Sequence, residues 1–182
     1  MENKKILLGV TGGIAIYKIC ELVRLLMKNK NQVKVIMTQN ATQMVSPVVF
    51  RALSRSCVYV DTFADAAGGA VEHISLANWA QAAIIAPATA NTIGKIANGI
   101  ADNLLTTVVM ALSESKPLFV APAMNSNMWD SVFVQENIKK MACRKNCFIV
   151  GPAKGELACG ASGAGRIVEP AEIFEFMAKK IS

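Results

Sequence analysis

The stretch "PAMNSNMW", residues 122–129, contains the most unusual set of side chains in the sequence. It follows the apolar run "KPLFV" and presents Asn125, Met128 and Trp129 close together. Asn125 is a neutral donor and acceptor, so it could bind a carboxylate or a carbonyl without protonating it. Met128 and Trp129 could cover a flat ring or form part of an interface. The alternative is a helix N-cap followed by an apolar first turn.

Two further segments carry groups that suit a phosphorylated ligand. "GVTGGIA" is a strand–glycine–helix turn whose backbone N–H groups could hold a phosphate, although a plain tight turn would look the same. It is not a GxGxxG motif, and Thr38 stands where a dinucleotide site would have an acid, which argues against an NAD ribose contact and leaves a mononucleotide open. "APATANT" ends a strand with several polar residues, and helix capping explains only one of them. Ligand contact is therefore expected at this segment, which contains Thr89, Ala90, Asn91 and Thr92.

The single histidine and one cysteine are further candidates. His73 follows a glycine-rich stretch, and a lone histidine with no acidic or cysteine cluster beside it does not indicate a metal site. Cys159 lies in the glycine-rich segment 155–166, which is typical of a mobile lid, and a thiol in such a loop suits acid or redox work. Arg166 could meet an anionic group of a substrate. No GxSxG motif or serine triad is evident.

Alternating strands and helices must position these residues. The apolar runs are not alternating, which indicates strands buried on both faces of a mostly parallel sheet. We predict strands at 4–10, 32–38, 57–61, 81–90, 116–124 and 147–152. We predict helices after the first glycine turn and at 46–54, 92–97, 104–113, 129–145 and 170–180, with an irregular, flexible loop at about 152–168. The fold expected is one doubly wound (Rossmann/flavodoxin-like) α/β domain over 1–182, with one pocket at the carboxyl ends of its strands.

The composition narrows the class of protein. The 182 residues are 53% hydrophobic and 18% charged, so apolar surface is expected to remain for an oligomer interface. The net charge of +6 is spread along the chain without a basic, aromatic-interleaved tract, which excludes a nucleic-acid binder and fits small anions. No signal peptide or membrane-spanning run is present, so a cytoplasmic protein with free thiols is expected. We expect four of its cysteines to be small buried hydrophobes: Cys20, Cys57, Cys143 and Cys147.

The motifs together resemble those of the homo-oligomeric flavin-containing cysteine decarboxylases. The resemblance comprises His73 before "NWA", "PATANT" at 87–92 and "PAMNSNMW", in order over essentially the whole chain. Thr89 replaces the usual serine and keeps its hydroxyl. The segment "GELACGASGAGRIVEP" looks like the substrate clamp of the branch that acts on 4'-phosphopantothenoylcysteine, although Ala161 stands where an acid is common. The chain resembles the stand-alone form of that branch.

This resemblance implies an FMN-dependent reaction in coenzyme A biosynthesis. The substrate thiol would be oxidised, carbon dioxide would leave, and the enethiolate would be reduced to 4'-phosphopantetheine. The resemblance implies that His73 is the base or the orienting group for thiol oxidation. It also implies that Asn125 binds the carboxylate in a pocket shaped by Met128, and that Cys159 donates a proton. It also implies a homo-oligomer, a trimer or dodecamer, with FMN between subunits. The implied flavin contacts are Gly12, Gly13, Ile14, Thr38, Thr89, Ala90, Asn91, Thr92 and Ala123.

Four alternatives remain open at this point. A peptidyl-cysteine decarboxylase of the lantibiotic type would generally lack the clamp cysteine, Cys159. A flavin prenyltransferase has a related fold but does not need this set of motifs. An FMN electron carrier of flavodoxin type is usually acidic, with a first loop rich in threonine and serine. A regulatory relative that binds phosphatases would carry an acidic tail.

Overall fold

The computed structural model describes residues 1–60, 72–156 and 162–181. Six strands form one sheet in the order β3-β2-β1-β4-β5-β6, and every neighbouring pair is parallel. These strands are β1 (Lys5–Val10), β2 (Gln32–Met37), β3 (Val58–Tyr59), β4 (Ala82–Ala88), β5 (Leu118–Pro122) and β6 (Cys147–Ile149). The described helices are α1 (Ile16–Lys28), α2 (Gln39–Thr42), α3 (Pro47–Ser54), α4 (Glu72–Trp79), α5 (Ala90–Ala97), α6 (Leu104–Ala111), α7 (Ser126–Trp129), α8 (Val132–Ala142) and α9 (Pro170–Lys180).

Helices cover both faces of the sheet, as the continuously apolar strands predict. On one face, α1 and α9 pack against the strands through residues such as Leu22 and Ile173. On the other face, α4, α5 and α6 contribute a second apolar cluster that includes Leu76 and Val108. Strands β4 and β5 are buried along their whole length. The prediction of a doubly wound α/β fold is confirmed.

The strand order reverses direction between β1 and β4. From β1 the chain proceeds through β2 to the edge at β3, then returns to the other side of β1 and proceeds through β4 and β5 to β6. The connections after β1 and β4 therefore diverge and leave a crevice at the carboxyl ends of these two strands. The two segments that leave these strand ends are "TGGIA" and "APATANT".

The segment predicted as an irregular loop at 152–168 contains regular structure. Strand β7 (Ala153–Glu156) pairs antiparallel with β8 (Ser162–Arg166) in a separate two-stranded sheet. This pair was not predicted from the sequence, because its strands consist largely of glycine and alanine. The usual signal of a strand is a run of β-branched and aromatic residues. Cys159 lies between the two strands, outside the described residues.

Several boundaries also differ from prediction. The helix predicted at 129–145 is the shorter α8, with Ser131 at its N-cap position, and the separate short helix α7 ends at Trp129. Helix α4 was not predicted because its buried face consists of only Leu76 and Ala77, which gives little helical periodicity. No helix within the described ranges combines the length and the apolar character needed to cross a membrane.

The cysteine prediction is wrong at two positions. Cys57 and Cys143 are exposed because each lies at the end of an element on the surface, before β3 and at the C-cap of α8. Cys20 and Cys147 are partly buried. Burial raises the pKa of the Cys20 thiol, and it raises the pKa of the Cys147 thiol to about 11.

Candidate functional site

A cavity of about 640 Å³ lies where the connections after β1, β4 and β5 meet. Its volume is within the range of small-molecule and cofactor sites. The cavity is lined by Gly12, Gly13, Ile14, Ala15, Tyr17, Lys18, Thr89, Ala90, Ala123, Met124, Asn125, Met128, Gly165, Arg166 and Ile167. The structure thus brings the three predicted motif segments and the β8 strand to one place.

The turn after β1 presents backbone rather than side chain to the cavity. The Gly13 N–H donates to the Thr11 carbonyl at 2.9 Å, which tightens the turn before α1 begins. Gly12 must be a glycine, since a Cβ there would lie 2.6 Å from Asn40 Cβ. Ala15, the N-cap residue of α1, makes no side-chain capping hydrogen bond. The amino end of a 13-residue helix therefore faces the cavity without a side-chain cap, which suits an anion.

Thr11 connects the two sides of the crevice, and sequence reasoning gave it no role. Its side chain is buried, its hydroxyl donates to the Pro87 carbonyl at 2.5 Å, and its Oγ1 accepts from the Thr89 N–H at 3.1 Å. One hydroxyl group therefore links the residue after β1 to the carboxyl end of β4, beyond the last paired residues of the two strands. The only sequence signal was a threonine between an apolar strand and two glycines.

The threonines of "PATANT" mainly cap helix α5. Thr89 Oγ1 accepts from the Thr92 N–H at 3.3 Å and donates to Thr92 Oγ1 at 3.2 Å. Thr89 and Ala90 also line the cavity, whereas the exposed Asn91 and the buried Thr92 do not. One residue therefore serves as both helix cap and cavity wall.

Asn125 also both caps a helix and lines the cavity. Its Oδ1 accepts from the Asn127 N–H at 2.8 Å and caps α7, while the residue lines the cavity. Met128 lines the cavity from the same short helix, and Trp129 does not. The capping interpretation and the ligand interpretation of this segment are compatible.

Strand β8 closes the cavity against "PAMNSNMW". The Met124 N–H donates to the Gly165 carbonyl at 3.0 Å. Gly165 has φ +142°, and a Cβ there would collide with the Met124 carbonyl oxygen. Gly163 approaches α7 equally closely, since a Cβ would lie 2.9 Å from Ser126 Cβ. The glycines that concealed this strand in the sequence allow its backbone to contact the motif.

Two cations line the cavity and share one carboxylate. Lys18 Nζ donates to Glu169 Oε1 at 2.6 Å, and Arg166 Nη2 donates to the same oxygen at 3.2 Å. The hydrogen bond from Lys18 lowers the pKa of the Glu169 carboxyl, and the charge of Arg166 acts in the same direction. Arg166 was predicted as a site residue. Lys18 was missed, although it lies in the first turn of α1, directly after the glycine turn.

Besides Asn91 and Thr92, two predicted site residues that the structure describes do not line the cavity. His73 lies in the first turn of α4 and is partly buried, but it does not line the cavity. Thr38 caps α2, where its Oγ1 accepts from the Ala41 N–H at 3.3 Å, and it also does not line the cavity. Cys159 lies outside the described residues.

Comparisons with known proteins agree with one another. The Flavoprotein family matches residues 1–182. The coenzyme A biosynthesis bifunctional protein CoaBC of Bacillus subtilis is 48% identical over 179 residues, which cover 98% of this chain and 43% of the relative. The CoaBC protein of Escherichia coli is 40% identical, over 96% of this chain and 42% of the relative. The chain thus spans less than half the length of these relatives.

Solved structures of similar fold match at full length. A PPC decarboxylase mutant complexed with pantothenoylaminoethenethiol has a TM-score of 0.86 and 31% identity, covering 98% of both chains. The FMN binding protein AtHal3 has a TM-score of 0.84 and 31% identity, covering 98% of this chain and 96% of that one. The peptidyl-cysteine decarboxylase EpiD has a TM-score of 0.82 and 26% identity, covering 98% and 99%.

Proposed function

The chain belongs to the Flavoprotein family, in the branch of flavin-containing cysteine decarboxylases, and we propose that it converts 4'-phosphopantothenoylcysteine to 4'-phosphopantetheine with FMN. One observation carries this proposal. The β1 turn, "PATANT" and "PAMNSNMW" line a single cavity at the point where the strand order reverses. The similar proteins are named for coenzyme A biosynthesis, PPC decarboxylation and FMN binding, which supports the same reaction here.

The residues of the cavity fit FMN. The uncapped amino end of α1, beside Gly12 and Gly13, offers backbone N–H groups to the phosphate. Ile14, Thr89, Ala90 and Ala123 form the walls that we assign to the rest of the flavin. FMN when bound supplies a two-electron acceptor for the thiol and a hydride donor for the product. Thr38, Asn91 and Thr92, which do not line the cavity, would act through the elements that they cap or fill.

Asn125 is assigned to the carboxylate of the substrate. The amide Nδ2 is a donor and therefore suits a carboxylate, while Oδ1 accepts from the Asn127 N–H. A neutral donor orients the carboxylate without the strong stabilisation that a cation would give to the ground state. Met128, on the same helix, would shape the space around the departing carbon dioxide.

His73 and Cys159 are assigned by family resemblance to thiol oxidation and to protonation of the enethiolate. Because His73 does not line the cavity of its own chain, we propose that a second copy brings it there. Large apolar side chains at the cavity rim support a homo-oligomer, since Ile14 and Tyr17 are 66% and 65% exposed. A trimer or a dodecamer is the arrangement that the resemblance implies.

The proposal is tested by release of carbon dioxide from 4'-phosphopantothenoylcysteine by the FMN-loaded protein. Asn125→Asp is the informative variant, because aspartate keeps the helix cap but puts a negative charge where the carboxylate would bind. We expect the rate to fall by roughly 100-fold or more, which corresponds to the loss of a charge-assisted hydrogen bond plus repulsion. The matched control is Asn127→Asp, an exposed position in the same helix. A wild-type protein that releases no carbon dioxide from this substrate would overturn the proposal.

A further inference from the structure

One side of the cavity is cationic, and the reaction proposed above gives this no role. Lys18 and Arg166 are the charged residues of the described lining, and no described acidic residue is part of that lining. Glu169, just behind them, neutralises only one of the two charges. We propose that Lys18 and Arg166 form a binding site for a phosphate monoester, the 4'-phosphate of the substrate. This inference rests on the proposed function, since it names the part of that substrate the two cations bind.

The arrangement of these two ion pairs would let an incoming anion replace part of the contact with Glu169. Both cations donate to the same oxygen, Glu169 Oε1, at 2.6 and 3.2 Å. A structural link between α1 and α9 would need only one of them. A phosphate offers three acceptor oxygens, so it could take donors from both cations while Glu169 keeps one of its contacts.

The guanidinium of Arg166 has a hydrogen-bond donor that Glu169 does not use. Among the described residues, its Nε is buried and has no hydrogen-bond partner. Its guanidinium lies against Gly155 of β7, with Nη1 3.5 Å from where a Cβ would stand. A buried N–H without an acceptor is unfavourable, so this guanidinium still has a donor that an additional anion could satisfy.

The location favours the substrate over the flavin as the source of the phosphate. The flavin phosphate is assigned to the amino end of α1, at Gly12 and Gly13. Lys18 lies about one helical turn further along α1, on the side that meets β8 and α9. Arg166 ends the β7–β8 pair, which contacts the segment that carries Asn125.

The test compares ligands that differ only in the phosphate. Binding of 4'-phosphopantothenate and of pantothenate to the FMN-loaded protein is measured by titration calorimetry, because neither has a thiol that can react. Lys18→Met should weaken binding of the phosphorylated ligand by roughly tenfold or more and leave pantothenate unchanged. Lys18→Arg should restore most of the difference. The matched control is Lys95→Met, because Lys95 pairs with Asp102 at the same 2.6 Å but does not line the cavity.

A second variant keeps the test decisive if Lys18→Met folds poorly. Glu169→Gln removes the competing carboxylate charge and keeps both cations, so it should tighten binding of the phosphorylated ligand alone. Equal effects on both ligands, or no effect in either variant, would overturn the inference.

The flavin is examined in the same way, by titrating the apoprotein with FMN and with riboflavin. Selective weakening of FMN by Lys18→Met would support a phosphate site with the flavin as its source. The proposed function itself is tested by a different measurement, since it fails if the wild-type protein releases no carbon dioxide.

Discussion

At the scale of single residues, Thr11 is the group on which the cavity floor depends. Its hydroxyl satisfies a carbonyl and an N–H at the end of β4 while the residue itself follows β1. The two sides of the crevice are thus fixed relative to each other before any ligand binds. We expect this preorganisation to contribute to flavin affinity.

Thr11→Val tests this role. Valine has the same shape but leaves the Pro87 carbonyl and the Thr89 N–H without their partner, so the free energy of unfolding should fall by about 1–3 kcal/mol. FMN affinity, measured by quenching of flavin fluorescence, should fall as well. The control is Thr106→Val, because Thr106 is also buried and hydrogen-bonded, but in the capping box of α6. It should lower stability and leave FMN affinity unchanged; equal loss of affinity in both variants would contradict the role.

The partly buried Cys147 gives a prediction about thiol reactivity. Because burial raises its pKa to about 11, its thiol stays protonated until the pH approaches that value, and only above it does the reactive thiolate predominate. Iodoacetamide at pH 8 should therefore modify the exposed Cys57 well before Cys147. Peptide mass spectrometry over time measures both rates. Modification of Cys147 as fast as that of Cys57 would contradict the burial.

The site residues near strand ends could be predicted from the sequence, but hydrogen bonds between residues far apart in the chain could not. Gly12, Thr89 and Asn125 stand in local motifs, so their place at the cavity could be predicted. Thr11 and Lys18 gain their significance from partners 76 and 151 positions away, at Pro87 and Glu169. Such pairs follow from the folded topology, which local patterns do not specify.

At the scale of elements, the β7–β8 pair is the part of the site that local patterns missed. Its glycines were interpreted as flexibility, whereas in the described strands they allow close contact with Met124 and α7. Strand signals depend on side chains that pack, and a strand whose backbone is the contact surface has few of them. The strands of the main sheet have such side chains and were predicted within a few residues.

Gly165→Ala should displace this pair from the cavity wall. The added Cβ would collide with the Met124 carbonyl, and φ +142° is unfavourable for alanine. We expect the free energy of unfolding to fall by more than about 1 kcal/mol and KM for the substrate to rise several-fold. Gly99→Ala is the control, because Gly99 also has positive φ, +71°, but open space around it. An effect on KM no larger than that of Gly99→Ala would show that the contact does not position the wall.

At the scale of the whole molecule, the described part of one chain does not bring all the proposed site residues together. The cavity holds the proposed flavin and carboxylate contacts, while His73 is on α4, outside its lining. In the assembly proposed above, a second copy would supply His73, and the exposed apolar rim would form the interface. The high hydrophobic content of the sequence led to the same expectation.

Complementation between inactive variants tests this arrangement. His73→Asn and Asn125→Asp should each be inactive alone. If each site combines His73 of one copy with Asn125 of another, mixed oligomers formed by co-expression should recover roughly a quarter of the wild-type activity per site, the random share of intact combinations. Activity that stays absent in mixed oligomers would mean that both residues act from the same chain.

The most direct measurement is the mass of the product formed from 4'-phosphopantothenoylcysteine by the purified, FMN-loaded protein. We expect loss of carbon dioxide alone, which gives 4'-phosphopantetheine and requires both the oxidation and the final reduction. A product lighter by two further hydrogens would mean that only the oxidative half occurs, as in a decarboxylase of peptidyl-cysteine type. Unchanged substrate in the presence of bound FMN would contradict the proposed decarboxylase function.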